Sequence, residues 1–283
     1  MKKFIATKKA ERYFSFVILV IVCIIMIYPL TWLVGSSFKY NEDIFIGLNV
    51  IPERATLSGY IDGWRGVGRF TYTTFFINTF VMVVPTVIGT LVSSFLVAYG
   101  FARFSFRFHS ILFMTMLATL MLPNELLIIP RFIMFKNFGW LNTYLPIIIP
   151  AWFATFPFFI FMAVQFIKGI PRELDESAVI DGCNTFSILW RIILPLSKPV
   201  IFSAMIFQFV WRWNDFFNPL IFINSMRHYP LSLALRLSMD LSDMVSWNNA
   251  LAMSVLAIIP PTMIFFAAQK YFVEGIATSG IKG

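Results

Sequence analysis

Five polar side chains, Gln208, Arg212, Asn214, Asp215 and Asn218, fall in one short stretch of an otherwise apolar region, with Trp211, Trp213, Phe216 and Phe217 between them. Aromatic faces beside amide and carboxylate groups suit a sugar, whose C–H faces stack on rings while its hydroxyls need donors and acceptors. Asn78, alone in a second apolar stretch, is a further candidate. Polar groups inside membrane-length segments are costly and therefore mark a solute path by default. Asn78, Gln208, Trp213, Asn214, Asp215 and Asn218 are accordingly expected to line one. Plainer readings stand beside this. Arg212 and Asp215, three apart on a helix, can neutralise each other at an interface while the tryptophans form an aromatic belt. A single Asn such as Asn78 commonly bonds a neighbouring helix. Catalytic chemistry has little to work with: the histidines are His109 and His228, far apart, and no Cys/His cluster, Ser/Lys pair or paired-Asp motif lies in an apolar segment.

The segments that must position these groups follow from composition. Of 283 residues 59% are hydrophobic and 13% charged, which places the chain in the polytopic membrane class. Residues 13–38, 70–102, 137–167, 199–211 and 244–269 contain no Asp, Glu, Lys, Arg or His, and four of these windows exceed the roughly 20 residues a spanning helix requires. Two weaker spans complete the set. One runs from about Phe108 to Leu122 and toward Ile129; the other continues the 199–211 window through Arg212 to Ile223. The expectation is an all-α polytopic membrane protein with six transmembrane helices. The first run carries Pro29 and is followed by no small-residue cleavage site, so it reads as an uncleaved helix. Tyr144 to Ile167 reads as one long span bent by prolines, and a salt bridge between Glu125 and Arg131 is expected in the outer connection before it.

Placing both termini on one side puts thirteen of the 22 Lys and Arg in the shorter set of connecting segments, so the positive-inside rule makes that side the cytoplasm. The resulting plan is one membrane domain over 1–283. It has a cytoplasmic N-terminus at 1–13, an outer segment at 39–70, a cytoplasmic loop at 169–199, an outer loop at 224–249 and a cytoplasmic tail at 270–283. The net charge of +8 is then an inner-face anchor and calls for no nucleic acid. Cys23 lies in the first span and Cys183 in the cytoplasmic loop, so no disulfide is expected.

The loop at 169–199 is polar and helix-coded. Pro171 suits a first helical position, and three acids from Glu173 to Glu176 favour a helix N-terminus. Gly182 supplies a stop and Asn184 a cap for a second short helix, which Pro195 is expected to end. Leu174, Ala178 and Val179 form an apolar stripe too small to be a core, so another surface must cover it.

This loop resembles the EAA motif of permease subunits in binding-protein-dependent ABC importers. The matching residues are Glu176, Ser177 and Ala178, then Asp181 and Gly182, then Ile192, Leu194 and Pro195, with Ser177 and Cys183 where alanine is usual. MLPNELLIIP (residues 121–130), WNDFFNPLIF (213–222) and the tail QKYFVEGIATSGIKG (269–283) extend the resemblance to the carbohydrate-importing branch, whose model member is the second maltose-permease subunit. The resemblance implies a helix-turn-helix coupling loop between helices 4 and 5 that seats in a cytoplasmic ATPase. Leu174, Glu176, Ser177, Ala178, Asp181, Gly182, Phe186, Leu194 and Pro195 would carry that role, with Leu174, Ala178 and Phe186 as the apolar contact. It further implies a second, non-identical permease, two ATPase subunits, an extracytoplasmic solute-binding protein and a carbohydrate substrate, all in a bacterial cytoplasmic membrane with both termini inside. Residues 280–283 would reach the ATPase.

The chain itself has no Gly-x-x-x-x-Gly-Lys-[Ser/Thr] sequence, nor any Gly-Lys pair. A non-catalytic subunit that binds no cofactor is therefore expected, with ATP and Mg in the partner ATPase. Two alternatives remain at this point. One is an importer for a polyol phosphate such as glycerol phosphate, which would need more positive charge than Arg212 alone. The other is an ion-driven secondary transporter, which should show midplane carboxylates and inverted repeats.

Overall fold

A computed structural model describes the backbone of residues 2–47, 49–240 and 246–280, and the side chains of 12–47, 49–239 and 246–270. The expected role of residues 280–283 falls largely outside the described residues. Among those described, every long element is helical. In chain order they are α1 (Lys2–Ser36), α2 (Ser58–Trp64), α3 (Tyr72–Arg103), α4 (His109–Ala118), α5 (Asn124–Asn137), α6 (Leu145–Ala151) and α7 (Pro157–Lys168). Then come α8 (Glu173–Ile180), α9 (Thr185–Ile188), α10 (Leu194–Leu196), α11 (Lys198–Trp213), α12 (Phe217–Phe222), α13 (Leu231–Asp240) and α14 (Trp247–Gly280). The chain divides into two compact units.

The first unit comprises Met1–Tyr72 and Leu235–Ile258. The most apolar 18-residue window of α1, within Arg12–Ser36, has no residue buried within the protein, and among the described side chains of the helix only Ser36, at its end, is buried. A helix apolar all round and left uncovered requires a lipid solvent. Beyond it, Arg54 pairs with Asp43 at 3.0 Å and Glu42 at 3.4 Å. Helix α2 lies close against the start of α14: a Cβ on Gly59 would come within 2.7 Å of the Asn248 carbonyl oxygen, so only glycine permits this approach.

The second unit, Thr73–Ala234 and Ile259–Gly283, holds every candidate site residue. Its core joins Phe95, Ala98, Tyr99 and Ala102 of α3 to Ile160, Ala163, Val164 and Ile167 of α7. Ala178, Ile188, Leu189 and Ile193 from the 169–199 loop complete it. The loop is thus packed into the body of the unit and is no free connector.

Three helices are long and apolar enough to cross a membrane, Arg12–Ser36, Tyr72–Arg103 and Trp247–Lys270, and two bent pairs raise this to five. The breaks revise the expected segments, and prolines explain them. The expected third span turns by 97° between its halves, at Pro123. Leu122, the residue before that proline, is driven to extended backbone at φ −81°, ψ 117°. The run from Tyr144 to Ile167 is not one bent helix but two, α6 and α7, separated at residues 152–156. Phe156 precedes Pro157 and sits at φ −114°, ψ 83°, outside the helical region, and Ala154 is left-handed at φ 56°. The fifth apolar stretch also stops, at Trp213, and resumes as α12. No ion pair joins Glu125 to Arg131 among the described residues. Six positions at about 100° each put the two on well-separated faces of α5.

Candidate functional site

The coupling candidate is a helix-turn-helix set by local chemistry. Helix α8 begins at Glu173, two residues later than the proline expectation, because Arg172 occupies the N-cap position; Glu173, Asp175 and Glu176 fill the first turn, where the helix dipole favours anions. The helix ends in a Schellman turn. The Gly182 N–H donates to the Val179 carbonyl at 3.0 Å and the Cys183 N–H to the Ala178 carbonyl at 2.9 Å, with Gly182 at φ +79°. Asn184 then caps α9, its Oδ1 accepting from the Ser187 N–H at 2.8 Å.

Pro195 does not end the second helix. A π turn over Leu189–Ile193 lies immediately ahead of it, and the helical run continues to Leu196. Proline lacks an N–H and crowds the carbonyl four residues back, and the widened π turn relieves both problems. The bend of 73° comes instead between Leu196 and Lys198, where Pro199 sits in the first turn of α11.

The faces of the loop differ from expectation at one position. Ala178 points inward, into the core with Ile188 and Ile193, and takes no part in the outer surface. The outward apolar surface consists of Leu174, Val179, Ile180, Phe186 and Trp190, with Ile180 86% and Phe186 64% exposed. Phe186 and Trp190 pair edge to face at 6.0 Å. Glu176, Ser177, Asp181, Gly182 and Pro195 are exposed around it, Leu194 is half-buried, and the Ser177 hydroxyl is turned back to donate to the Glu173 carbonyl at 2.8 Å.

Two groups missed by sequence reasoning fix this loop. Arg103, the last residue of α3, places its Nε 2.7 Å from Asp175 Oδ2, with the arginine side chain only 5% exposed. It also donates to the Ile170 carbonyl at 3.1 Å. The Tyr99 hydroxyl, one turn earlier, donates to the Thr185 carbonyl at 3.2 Å. A lone arginine closing a long apolar run was the available signal, but it reads equally as an inner-face anchor.

The substrate-path candidates are held by different partners. Asn78 Nδ2 donates to the carbonyls of Arg227 at 2.8 Å and Tyr229 at 3.0 Å. Gln208 is fully buried and donates to Thr90 Oγ1 at 2.8 Å, leaving its Oε1 without a hydrogen-bond partner. Trp213 is buried, stacked on Phe209 at 5.3 Å and edge-on to Phe80 at 5.1 Å. Asn214 is exposed, with its amide donating to the Val210 carbonyl at 2.9 Å.

Asp215 organises the break between α11 and α12. It holds Arg212 at 2.7 Å and accepts from the Asn218 N–H at 3.2 Å and the Asn218 amide at 2.8 Å. Arg212 also lies over the Phe156 ring at 5.0 Å. Asn142, left-handed at φ 61°, was likewise missed; its Oδ1 accepts from the backbone of Asn224 and Ser225. No group of three or more His, Cys, Asp or Glu able to hold a metal occurs among the described residues.

The likenesses to known proteins cover nearly the whole chain. Residues 4–278 match the family described as "Binding-protein-dependent transport system inner membrane component". The arabinooligosaccharides transport system permease protein AraQ of Bacillus subtilis (strain 168) is 31% identical over 268 residues, spanning 92% of each chain. The sn-glycerol-3-phosphate transport system permease protein UgpE of Rhizobium meliloti (strain 1021) is 31% identical over 264 residues, covering 91% of this chain and 93% of UgpE. In fold, the chain superposes with a TM-score of 0.81 on a chain from the crystal structure of a bacterial ABC transporter involved in the import of the acidic polysaccharide alginate. That match covers 93% of this chain and 98% of the other at 23% identity.

Proposed function

The chain belongs to the family of binding-protein-dependent transport system inner membrane components, and on that premise we propose that it forms half of the translocation path of an ATP-driven importer for a sugar or oligosaccharide. The family's members are non-catalytic membrane subunits of ABC transporters, which sets aside the ion-driven secondary transporter. Carbohydrate as the substrate class is supported by the likeness to AraQ and by the aromatic and amide groups from Trp213 to Asn218. The full assembly in this reading has six spans per chain, both termini in the cytoplasm, a second non-identical permease, two ATPase subunits holding ATP and Mg, and an extracytoplasmic solute-binding protein.

One observation carries the coupling role. The 169–199 loop presents an apolar surface of Leu174, Val179, Ile180 and Phe186 rimmed by Glu176 and Asp181, on helices whose inner side is locked into the core. An interfacial helix lying on lipid headgroups is Lys-rich on its polar face, and this one is acidic. The reading is therefore a protein partner with an apolar cleft and basic margins, the ATPase. Ile180→Asp and Phe186→Asp, alone and together, test it. Both sites are exposed, so the chain should insert and fold as before, while co-purification of the ATPase subunits is lost. Retention of the ATPase by the double variant would sink the assignment.

A polyol phosphate is the second reading, favoured by the likeness to UgpE and by the buried guanidinium of Arg212 beside the substrate-path candidates. Uptake of labelled maltodextrin and labelled glycerol phosphate by the same reconstituted transporter separates the two.

A further inference from the structure

Helix α3 is gripped near both ends by polar contacts. At its C-terminal end Tyr99 and Arg103, four apart and so on one face, hold the two helices of the coupling loop separately. Tyr99 bonds the Thr185 carbonyl at the start of α9 at 3.2 Å, and Arg103 bonds Ile170 at 3.1 Å and pairs with Asp175 of α8 at 2.7 Å. Near the other end Asn78 donates to the carbonyls of Arg227 and Tyr229, and the buried hydroxyl of Thr79 accepts from the Leu231 N–H at 2.8 Å. Between the two grips Gln208 ties α11, the helix that leaves the loop directly, to Thr90 of α3. From Asn78 to Tyr99 the helix rises about 30 Å, the thickness of a bilayer's hydrocarbon core.

We propose that α3 is a transmission strut, which carries displacement of the coupling loop to residues 227–231 on the outer side, with Tyr99 and Arg103 as the inner clamp and Asn78 and Thr79 as the outer one. This rests on the docking reading above and extends it to a region that docking does not touch. Pro85 removes one backbone hydrogen bond between the clamps, but α3 runs as a single helix from Tyr72 to Arg103, so force applied at Arg103 arrives at Thr79 if both joints hold. The Thr79 joint is buried and the Arg103 side chain is only 5% exposed, so solvent competes little for these two contacts, while the Asn78 and Tyr99 bonds are partly open to it. The four residues are positioning residues: none is required to meet solute or nucleotide. The Gln208 tie keeps α11 and α3 moving as a pair, so the loop drives two helices at once.

The experiment uses the assembled transporter in nanodiscs with its ATPase subunits. A single cysteine is introduced by Arg227→Cys, an exposed site, in a Cys23→Ser, Cys183→Ser background. The rate of labelling by a membrane-impermeant maleimide is measured without nucleotide and after trapping with ATP and orthovanadate. Trapping should change the rate in this parent. The change should be lost in Tyr99→Phe with Arg103→Gln, and equally in Thr79→Val, while the ATPase still co-purifies. Exchanging the charges, Arg103→Asp with Asp175→Arg, should restore part of it. A parent that shows no change, or clamp variants that keep all of it, would overturn the strut. Thr79→Val decides the matter alone if the inner-clamp variant fails to assemble, because it is remote from the loop. An ATPase absent from the parent preparation would defeat the docking reading instead, so the two failures are distinguishable.

Discussion

Arg103 Nε stands 2.7 Å from Asp175 Oδ2, joining residues 72 positions apart and tying the inner end of α3 to the first turn of α8. Both side chains are largely shielded, so their removal should follow the rule for buried pairs: losing one partner strands a charge, and losing both does not. Asp175→Leu alone is expected to cost about 3 kcal/mol, whereas Arg103→Leu with Asp175→Leu should recover much of that loss. Thermal unfolding of the four members of the cycle in detergent checks this. Equal and additive losses would mean that the pair contributes no coupling.

Gly182 is at φ +79°, and a Cβ there would meet no atom within 4 Å. Substitution cost is then conformational and not steric. Gly182→Ala should lose about 1 kcal/mol, Gly182→Asn less, since asparagine tolerates the left-handed region, and Gly182→Val more. The same order should appear in ATPase co-purification, because the turn sets the angle between the two docking helices. Gly182→Asp should leave the protein in the membrane with weakened ATPase association. An order that follows side-chain volume would point to a clash that the structure does not contain.

Gln208 has one good hydrogen bond and one buried oxygen without a partner. Gln208→Leu removes both the bond and the orphan acceptor, and interhelical bonds of this kind average about 0.6 kcal/mol, so stability should change by less than about 1 kcal/mol. Gln208→Glu is the opposite case, a carboxylate in a fully buried site, and should be strongly destabilising near neutral pH. Comparing melting temperatures of the two variants tests the environment directly. If Gln208→Glu is tolerated as well as Gln208→Leu, water reaches the site.

Asp215 accepts from Arg212 and Asn218 across the break between α11 and α12. Asp215→Ala should cost about 3 kcal/mol by stranding the Arg212 guanidinium, and Asp215→Ala with Arg212→Leu should recover part of it. Uptake measured beside stability separates the roles. A double variant that regains stability but not transport would assign these groups to the solute path; recovery of both would make them a structural join.

The residues themselves show how far sequence reasoning reaches. The left-handed turn was visible as Gly182, the cap as Asn184 and the acidic first turn as Glu173 to Glu176, because each depends on a residue's own backbone and its near neighbours. Pro195 misled for a related reason. Its local preference to stop a helix is real, but the π turn at Leu189–Ile193 absorbs it, and that turn is packed into the core through Leu189 and Ile193. The run from Tyr144 to Ile167 misled by composition, since a charge count registers apolar length and not the backbone break at Phe156. Asn78, Gln208 and Trp213 were legible as unusual residues for their surroundings, but their partners, at Arg227, Thr90 and Phe80, are as much as about 150 positions away.

By itself the sequence determined the all-helical membrane character, the polar loop with its turn and cap, and the family, all of which are written in composition, charge spacing and contiguous motifs. Tertiary structure alone decided that Ala178 faces inward while Ile180 and Phe186 face out, that Arg103 and Tyr99 hold the loop, and that the path candidates bond to different elements. The physical reason is range. Helix starts, stops and spans are set within a few residues by backbone sterics and transfer free energy, whereas partners far apart in the chain meet only when the core closes around them.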